Sequence, residues 1–229
     1  MSVAGSIFVI TGPSGVGKST IIKEVREMVP MLGYSVSHTS RKPRGAEVDG
    51  VDYHFVDRDT FARMIAEGEF VEWAEVYSDY YGTSVSGIER GTSQGLDIIM
   101  DVDVQGARNI QSSFENSVLV YILPPSMAEL EKRLKARGTE EEEAVRRRLG
   151  KALKEMKHCL WYDYLIFNDE LTRAVEEVRS VILAERCRLS RQLPKAREAF
   201  GSFTADRKAR RQKKEEKEIT KARKEENTK

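Results

Sequence analysis

Eight consecutive residues carry the clearest chemistry in this chain: Gly12-Pro13-Ser14-Gly15-Val16-Gly17-Lys18-Ser19. They satisfy G-x-x-x-x-G-K-[ST] at every fixed position. Glycines let successive backbone N–H groups converge on phosphate oxygens at the positive end of a following helix. A lysine after the last glycine reaches the β- and γ-phosphates, and the next hydroxyl, that of Ser19, ligates Mg²⁺. The glycine spacing does not fit the dinucleotide fingerprint G-x-G-x-x-G.

A loop of this kind works only between a strand and a helix. Ile7-Phe8-Val9-Ile10 is a short β-branched run typical of a buried strand. Thr20 to Met28 reads as a helix with Ile21, Ile22, Val25 and Met28 on one face. That context sets the motif apart from a glycine turn that merely carries Lys-Ser.

The rest of the chain repeats this rhythm. Leu96–Asp101, Ser117–Leu123 and Tyr164–Asn168 read as strands. Helices are expected from about Gln105, from Ser126 through Leu130 and Leu134, from Thr139 onward and from Leu171 through Ile182. Strands alternating with helices argue for an α/β fold with a parallel sheet covered on both faces.

Residues 35–92 break the rhythm and read as an inserted sub-domain with antiparallel strands. Tyr34–Ser37, Val51–Val56 and Glu69–Val76 read as strands, the last with Phe70, Glu72, Ala74 and Val76 on one face. Pro30–Gly33, Ser37–Glu47 and Asp79–Thr83 read as turns or loops, Asp57 as a helix N-cap and Ser84 as the start of a helix toward Thr92.

This insertion concentrates Arg41, Arg44, Glu47, Tyr53, Glu72, Tyr81 and Thr83. Two arginines can grip a phosphate bidentately, and tyrosine hydroxyls add neutral donors. A carboxylate can accept two N–H bonds from the Watson–Crick edge of guanine, which adenine cannot offer. A wrong base would leave groups unpaired, a penalty that can reach roughly 10⁴-fold.

Bulk properties narrow the class further. The chain has 229 residues, enough for one α/β domain with insertions. No apolar run approaches a membrane span, and the N-terminus has no signal-peptide pattern. Two cysteines, Cys159 and Cys187, are too few for a disulfide scaffold, so a reduced, cytoplasmic protein is expected. Residues 206–229 carry a net +5 within a chain total of +1, leaving −4 for the remainder, which does not look like a nucleic-acid-binding domain. That tail has only Ile219 as a large aliphatic residue, so it cannot build a core; it reads as a solvated, partly helical extension, the alternative being a weak contact with RNA or another acidic partner. His38 and His54 read as structural or exposed, and His158 beside Cys159 lacks the further ligands of a metal site.

Taken together, these segments closely resemble guanylate kinase over about residues 6 to 186. The likeness rests on Gly12 to Thr20, the Thr-Ser-Arg-Lys-Pro-Arg core within Ser37 to Tyr53, Tyr81-Gly82-Thr83, Asp101-Val102-Asp103-Val104-Gln105-Gly106, Arg137-Gly138-Thr139 and Asn168-Asp169. The resemblance implies a P-loop NTPase three-layer fold. Its core would take residues 1–34, 93–124 and 156–200, with a mixed α/β GMP-binding sub-domain over 35–92, a helical lid over 125–155 and a charged tail over 201–229.

The resemblance also implies an ATP:GMP phosphotransferase using Mg²⁺, active in purine metabolism on small-molecule substrates, with no membrane partner. ATP would be held by Gly12 through Thr20, including Pro13, Ser14, Gly15, Val16 and Gly17, with Arg137 and Asn168. GMP would be held by Ser37, Arg41, Arg44, Glu47, Tyr53, Glu72, Tyr81, Thr83, Asp101 and Asp103. Lys18, Arg41, Arg137 and Arg148 would be catalytic. Ser19, and Asp101 through water, would serve the metal. Spacing cannot choose among Arg146, Arg147 and Arg148; the resemblance selects Arg148. Guanylate-kinase-like peptide-binding modules are the rival reading, but the intact Lys18, Ser19, Arg41 and Arg44 count against it.

Overall fold

The computed structural model describes residues 4–76, 78–136 and 142–200. Its described residues fall into two compact units, one within residues 4–185 and the other residues 186–200.

The first unit is built on a five-stranded, all-parallel sheet. Its strands are β1 (Ile7–Thr11), β2 (Leu32–Tyr34), β7 (Asp97–Asp101), β8 (Ser117–Leu123) and β9 (Tyr164–Phe167), in the order β2-β7-β1-β8-β9. Alternation along β1 sends its side chains to two cores. Phe8 and Ile10 meet Ile21, Ile22 and Val25 of α1 (Lys18–Met28) and Val175, Val178 and Ile182 of α7 (Leu171–Arg186). Ile7 and Val9 meet Ile88 of α3 (Val85–Ser93) and Ala107 and Ile110 of α4 (Val104–Ser113). The expected three layers are therefore present.

A second, four-stranded sheet lies within the insertion, in the order β4-β3-β6-β5. It comprises β3 (His38–Thr39), β4 (His54–Phe55), β5 (Phe70–Val76) and β6 (Asp79–Ser84). β3 pairs parallel with β4 and antiparallel with β6, so the sheet is mixed rather than purely antiparallel. Asp57 caps α2 (Arg58–Ala66) as expected, accepting from the Thr60 N–H. Ser84 caps α3 through the Gly87 N–H.

Several local readings change. The second strand is Leu32–Tyr34, not Tyr34–Ser37, and Asp79–Thr83 is a strand rather than a loop. Both segments hold a glycine that reads as a breaker in sequence. In the fold each glycine sits where a side chain would collide. A Cβ on Gly33 would lie 3.1 Å from Ile98, and one on Gly82 would lie 2.9 Å from the Phe70 ring. Val51–Asp52 is turn, Tyr53 makes an isolated bridge with Asp49, and only His54–Phe55 joins the sheet. A bulge between Phe70 and Glu72 breaks the expected alternation. It turns Phe70 onto Phe61 of α2, with ring centroids 4.5 Å apart, and leaves Glu72 facing Thr83. Met28 is exposed, and Val29 takes the buried position as the chain leaves α1.

Two further helices, α5 (Met127–Ala136) and α6 (Glu142–Met156), pack on each other through Leu130, Leu134, Val145 and Ala152. Ser126 caps α5 at the Glu129 N–H. Thr139, the expected cap of the following helix, lies outside the described residues, as does the tail from residue 201. A short 3₁₀ turn, Lys157–Trp161, leads into β9. The second unit contributes α8 (Leu189–Phe200), which has no buried residue and carries Pro194 inside it. No helix was expected there, and proline is disfavoured in a helix interior.

Candidate active site

The carboxyl ends of β1, β7 and β8 open onto the glycine loop, the place where open parallel sheets bind ligands. Gly17 is the N-cap of α1 with φ 102°, a left-handed angle that suits glycine. A Cβ there would also strike the Asn168 amide nitrogen at 2.5 Å. Val16, fully buried, anchors the loop. Its carbonyl accepts from Asn168 Nδ2 at 2.7 Å and from Arg133 Nη1 at 3.4 Å. Asn168, expected near the adenine, is itself buried and holds the loop from beneath.

Lys18 Nζ donates to the Gly12 carbonyl at 2.8 Å and lies 3.6 Å from Asp101 Oδ1, at the tip of β7. Burial raises the Asp101 carboxyl above its ordinary range, outweighing the lowering effect of Lys18. Ser14, Ser19 and Thr20 are exposed on the loop and the first turn of α1.

Arg148 Nη2 donates to Ser14 Oγ at 2.5 Å. Its neighbours Arg146 and Arg147 are exposed and pair with Glu142 and Glu143 on α6 itself. The fold thus separates three arginines that spacing left equivalent. Arg137 lies outside the described residues. Arg133 was missed in sequence. It pairs with Glu129 at 3.0 Å and reaches the loop, and its place four residues before Arg137 in the sequence was the available signal.

The acceptor side is organised around Arg41, only 8% exposed. Its Nη1 and Nη2 donate to the two Glu47 oxygens at 2.6 and 2.7 Å, Nη1 also to the Lys42 carbonyl at 3.0 Å, and Nε to the Tyr81 hydroxyl at 3.2 Å. The guanidinium lies over the Tyr53 ring, 4.9 Å from its centroid. Glu47 accepts in addition from the Arg44 N–H at 2.8 Å. The Arg41 hydrogen bonds hold the Glu47 carboxyl down at about 2, and burial raises the Tyr53 phenol. Arg41 is therefore fixed in place with most of its N–H donors engaged. A two-donor grip on phosphate by Arg41 alone needs Glu47 or Tyr81 to yield one. Arg44, exposed beside it, and the two tyrosine hydroxyls are further donors on this side of the site.

Glu72 and Thr83 stand opposite each other across β5 and β6, and Thr83 Oγ1 donates to Glu72 Oε1 at 2.5 Å. Burial first, then the charge of Asp103, raises the Glu72 carboxyl. Asp103 caps α4, accepting from the Gly106 N–H at 2.8 Å. Ser37 enters β3, its carbonyl accepting from the His54 N–H at 2.9 Å. The His38 and His54 rings lie with centroids 4.6 Å apart, tilted by 33°, and burial pushes His38 down to about 4. Among the described residues no cluster of three or more His, Cys, Asp or Glu could hold a metal ion by itself, and no helix is long and apolar enough to cross a membrane.

A glycine loop closed by lysine, an arginine arriving from the α5–α6 pair, and a separate pocket of arginine, tyrosine and carboxylates can bring two phosphates together. The sequence profile described as guanylate kinase matches residues 5–185. A guanylate kinase of Geobacter metallireducens is 45% identical over 200 residues, covering 87% of this chain and 98% of the relative. One from Geobacter sulfurreducens is 46% identical over the same shares. The crystal structure of guanylate kinase from Anaplasma phagocytophilum superposes with a TM-score of 0.69 at 31% identity, covering 89% of this chain and 99% of that one. With its parallel sheet, P-loop and inserted mixed sheet, this chain belongs to the guanylate kinase family.

Proposed function

We propose that this protein transfers the γ-phosphate of ATP to GMP, giving ADP and GDP, in the cytoplasm. The observation that carries the reading is the pairing of an intact Gly12–Ser19 loop with a second pocket holding Arg41, Tyr53, Tyr81, Glu72 and Thr83.

The GMP phosphate binds at Arg44, Tyr53 and Tyr81, with Arg41 held ready by Glu47. Glu72, ionised, accepts from the guanine N1–H and N2–H₂, and Ser37, Thr83 and Asp103 complete the base site. ATP lies along the backbone of Gly12 to Gly17, with Thr20 and Arg137 beside its phosphates. One GMP phosphate oxygen attacks the γ-phosphorus in line, the bond to the bridging oxygen breaks, and ADP leaves. Lys18, Arg41, Arg137 and Arg148 stabilise the charge on the transferring group, contributions of the kind worth roughly 10³–10⁵ in rate. Water is kept out when α5 and α6 close, because it would compete as nucleophile.

The donor set fits Mg²⁺: the exposed Ser19 hydroxyl and the Asp101 carboxylate are hard oxygen ligands near the phosphates, and Mg²⁺ keeps several waters. Bound with ATP, the ion would neutralise phosphate charge. Asp101 would serve it through water, and its carboxylate lies 3.6 Å from Lys18 Nζ.

The test is coupled ADP release with ATP–Mg²⁺ and, separately, GMP, AMP, CMP and UMP. Turnover selective for GMP supports the assignment. Turnover with no base preference overturns the guanine pocket while leaving the transfer chemistry. No turnover by folded protein with any acceptor points instead to a binding module.

A further inference from the structure

One glycine touches both carboxylates of the base site. Gly106, buried in the first turn of α4, donates its N–H to Asp103 Oδ1 at 2.8 Å. A Cβ at Gly106 would lie 3.2 Å from Glu72 Cγ and 3.4 Å from its Cδ. Glu72 is thus confined between the Thr83 hydroxyl on one side and the backbone of α4 on the other. Glycine is disfavoured inside a helix relative to alanine, and Gly106 has an ordinary helical backbone, being absent from the positive-φ residues. Its place is explained by close approach, not by conformation.

We propose that Gly106 is a positioning residue for the acceptor base. The missing side chain lets Glu72 lie against the first turn of α4, beside Asp103 and near the positive end of the helix. That end offsets the repulsion between the two carboxylates. A methyl group here would push the Glu72 carboxylate aside by a few tenths of an ångström, enough to spoil a two-point match to guanine. The inference rests on the guanine-reading role of Glu72 proposed above.

The experiment compares Gly106→Ala, Glu72→Ala and the double variant with the wild-type chain, reading KM for GMP, KM for ATP and Tm. In Gly106→Ala, KM for GMP is expected to rise about tenfold, with KM for ATP unchanged and Tm little changed. In the Glu72→Ala background the same substitution is expected to cost nothing more, because no side chain remains to be displaced. Wild-type GMP kinetics in Gly106→Ala overturn the proposal. So does a loss that persists without Glu72 and travels with a lower Tm. That result would place the effect at Val102, whose Cβ lies 3.1 Å from the added methyl. If the wild-type chain shows no preference for GMP, the functional reading itself fails, which is a separate result.

Discussion

Asn168 Nδ2 donates a 2.7 Å hydrogen bond to the carbonyl of Val16, a residue 152 positions earlier in the chain. The bond ties the end of β9 to the centre of the phosphate loop, so the loop's shape depends on an element far from it in sequence. Asn168→Ala leaves that buried carbonyl with only the long contact to Arg133. Stability is expected to fall by about 1–3 kcal/mol, and KM for ATP to rise while KM for GMP stays near wild type. Thermal unfolding and steady-state kinetics check both.

Lys18 bridges the loop carbonyl of Gly12 and the Asp101 carboxylate. Lys18→Met removes a charge aimed at the transferring phosphate, and kcat is expected to drop roughly 10²–10³-fold. The same variant leaves the Asp101 carboxyl without its nearby cation, so that group should titrate still higher. Single-turnover measurements separate the chemical step from nucleotide binding.

Arg148 reaches Ser14 while Arg146 pairs with Glu142 in solvent. Arg148→Met is expected to lower kcat by about 10²-fold or more, whereas Arg146→Met should change stability by no more than about 0.5 kcal/mol and leave kcat intact. Equal effects at both positions would remove the distinction drawn between them.

Glu72 must be ionised to accept two N–H bonds, yet burial and Asp103 raise its pKa above the ordinary 4.5. Activity toward GMP should therefore fall with acidification at a pH above the usual carboxylate range. That limb should disappear from the kcat/KM profile of Glu72→Gln. The sign for stability is opposite. A raised folded-state pKa favours the protonated fold, and this stabilisation is lost as pH rises through that pKa. Glu72→Gln should consequently melt at or above the wild-type Tm at neutral pH, while losing preference for GMP.

Glu47 holds Arg41 through both of its oxygens, and its pKa falls to about 2. The stability this pair supplies is present above the unfolded-state carboxylate pKa and is lost only as pH falls toward 2. Glu47→Gln should raise KM for GMP several-fold with little change in KM for ATP, because the fixed guanidinium then wanders. Isothermal titration with GMP measures it directly.

The local order of the chain was enough to establish the β1–loop–α1 unit, the core strands β7, β8 and β9, and the caps at Asp57, Ser84 and Ser126. Each depends on neighbours within a few residues: apolar periodicity, glycine spacing, or a side chain reaching an N–H three positions on. Motif resemblance named the residues of both pockets, but their roles relative to one another were decided by tertiary contacts. Gly33 and Gly82 read as breaks, yet they fill strand positions where Ile98 and Phe70 leave no room for a side chain. The bulge after Phe70, which turns Glu72 toward Thr83, leaves no mark in the alternation of β5. The choice of Arg148 over two adjacent arginines, the grip of Glu47 on Arg41, and the anchoring of Val16 by Asn168 all join residues that only the folded chain brings together. Sequence periodicity encodes which face of an element is buried; which partner meets that face depends on the packing of elements distant in the chain.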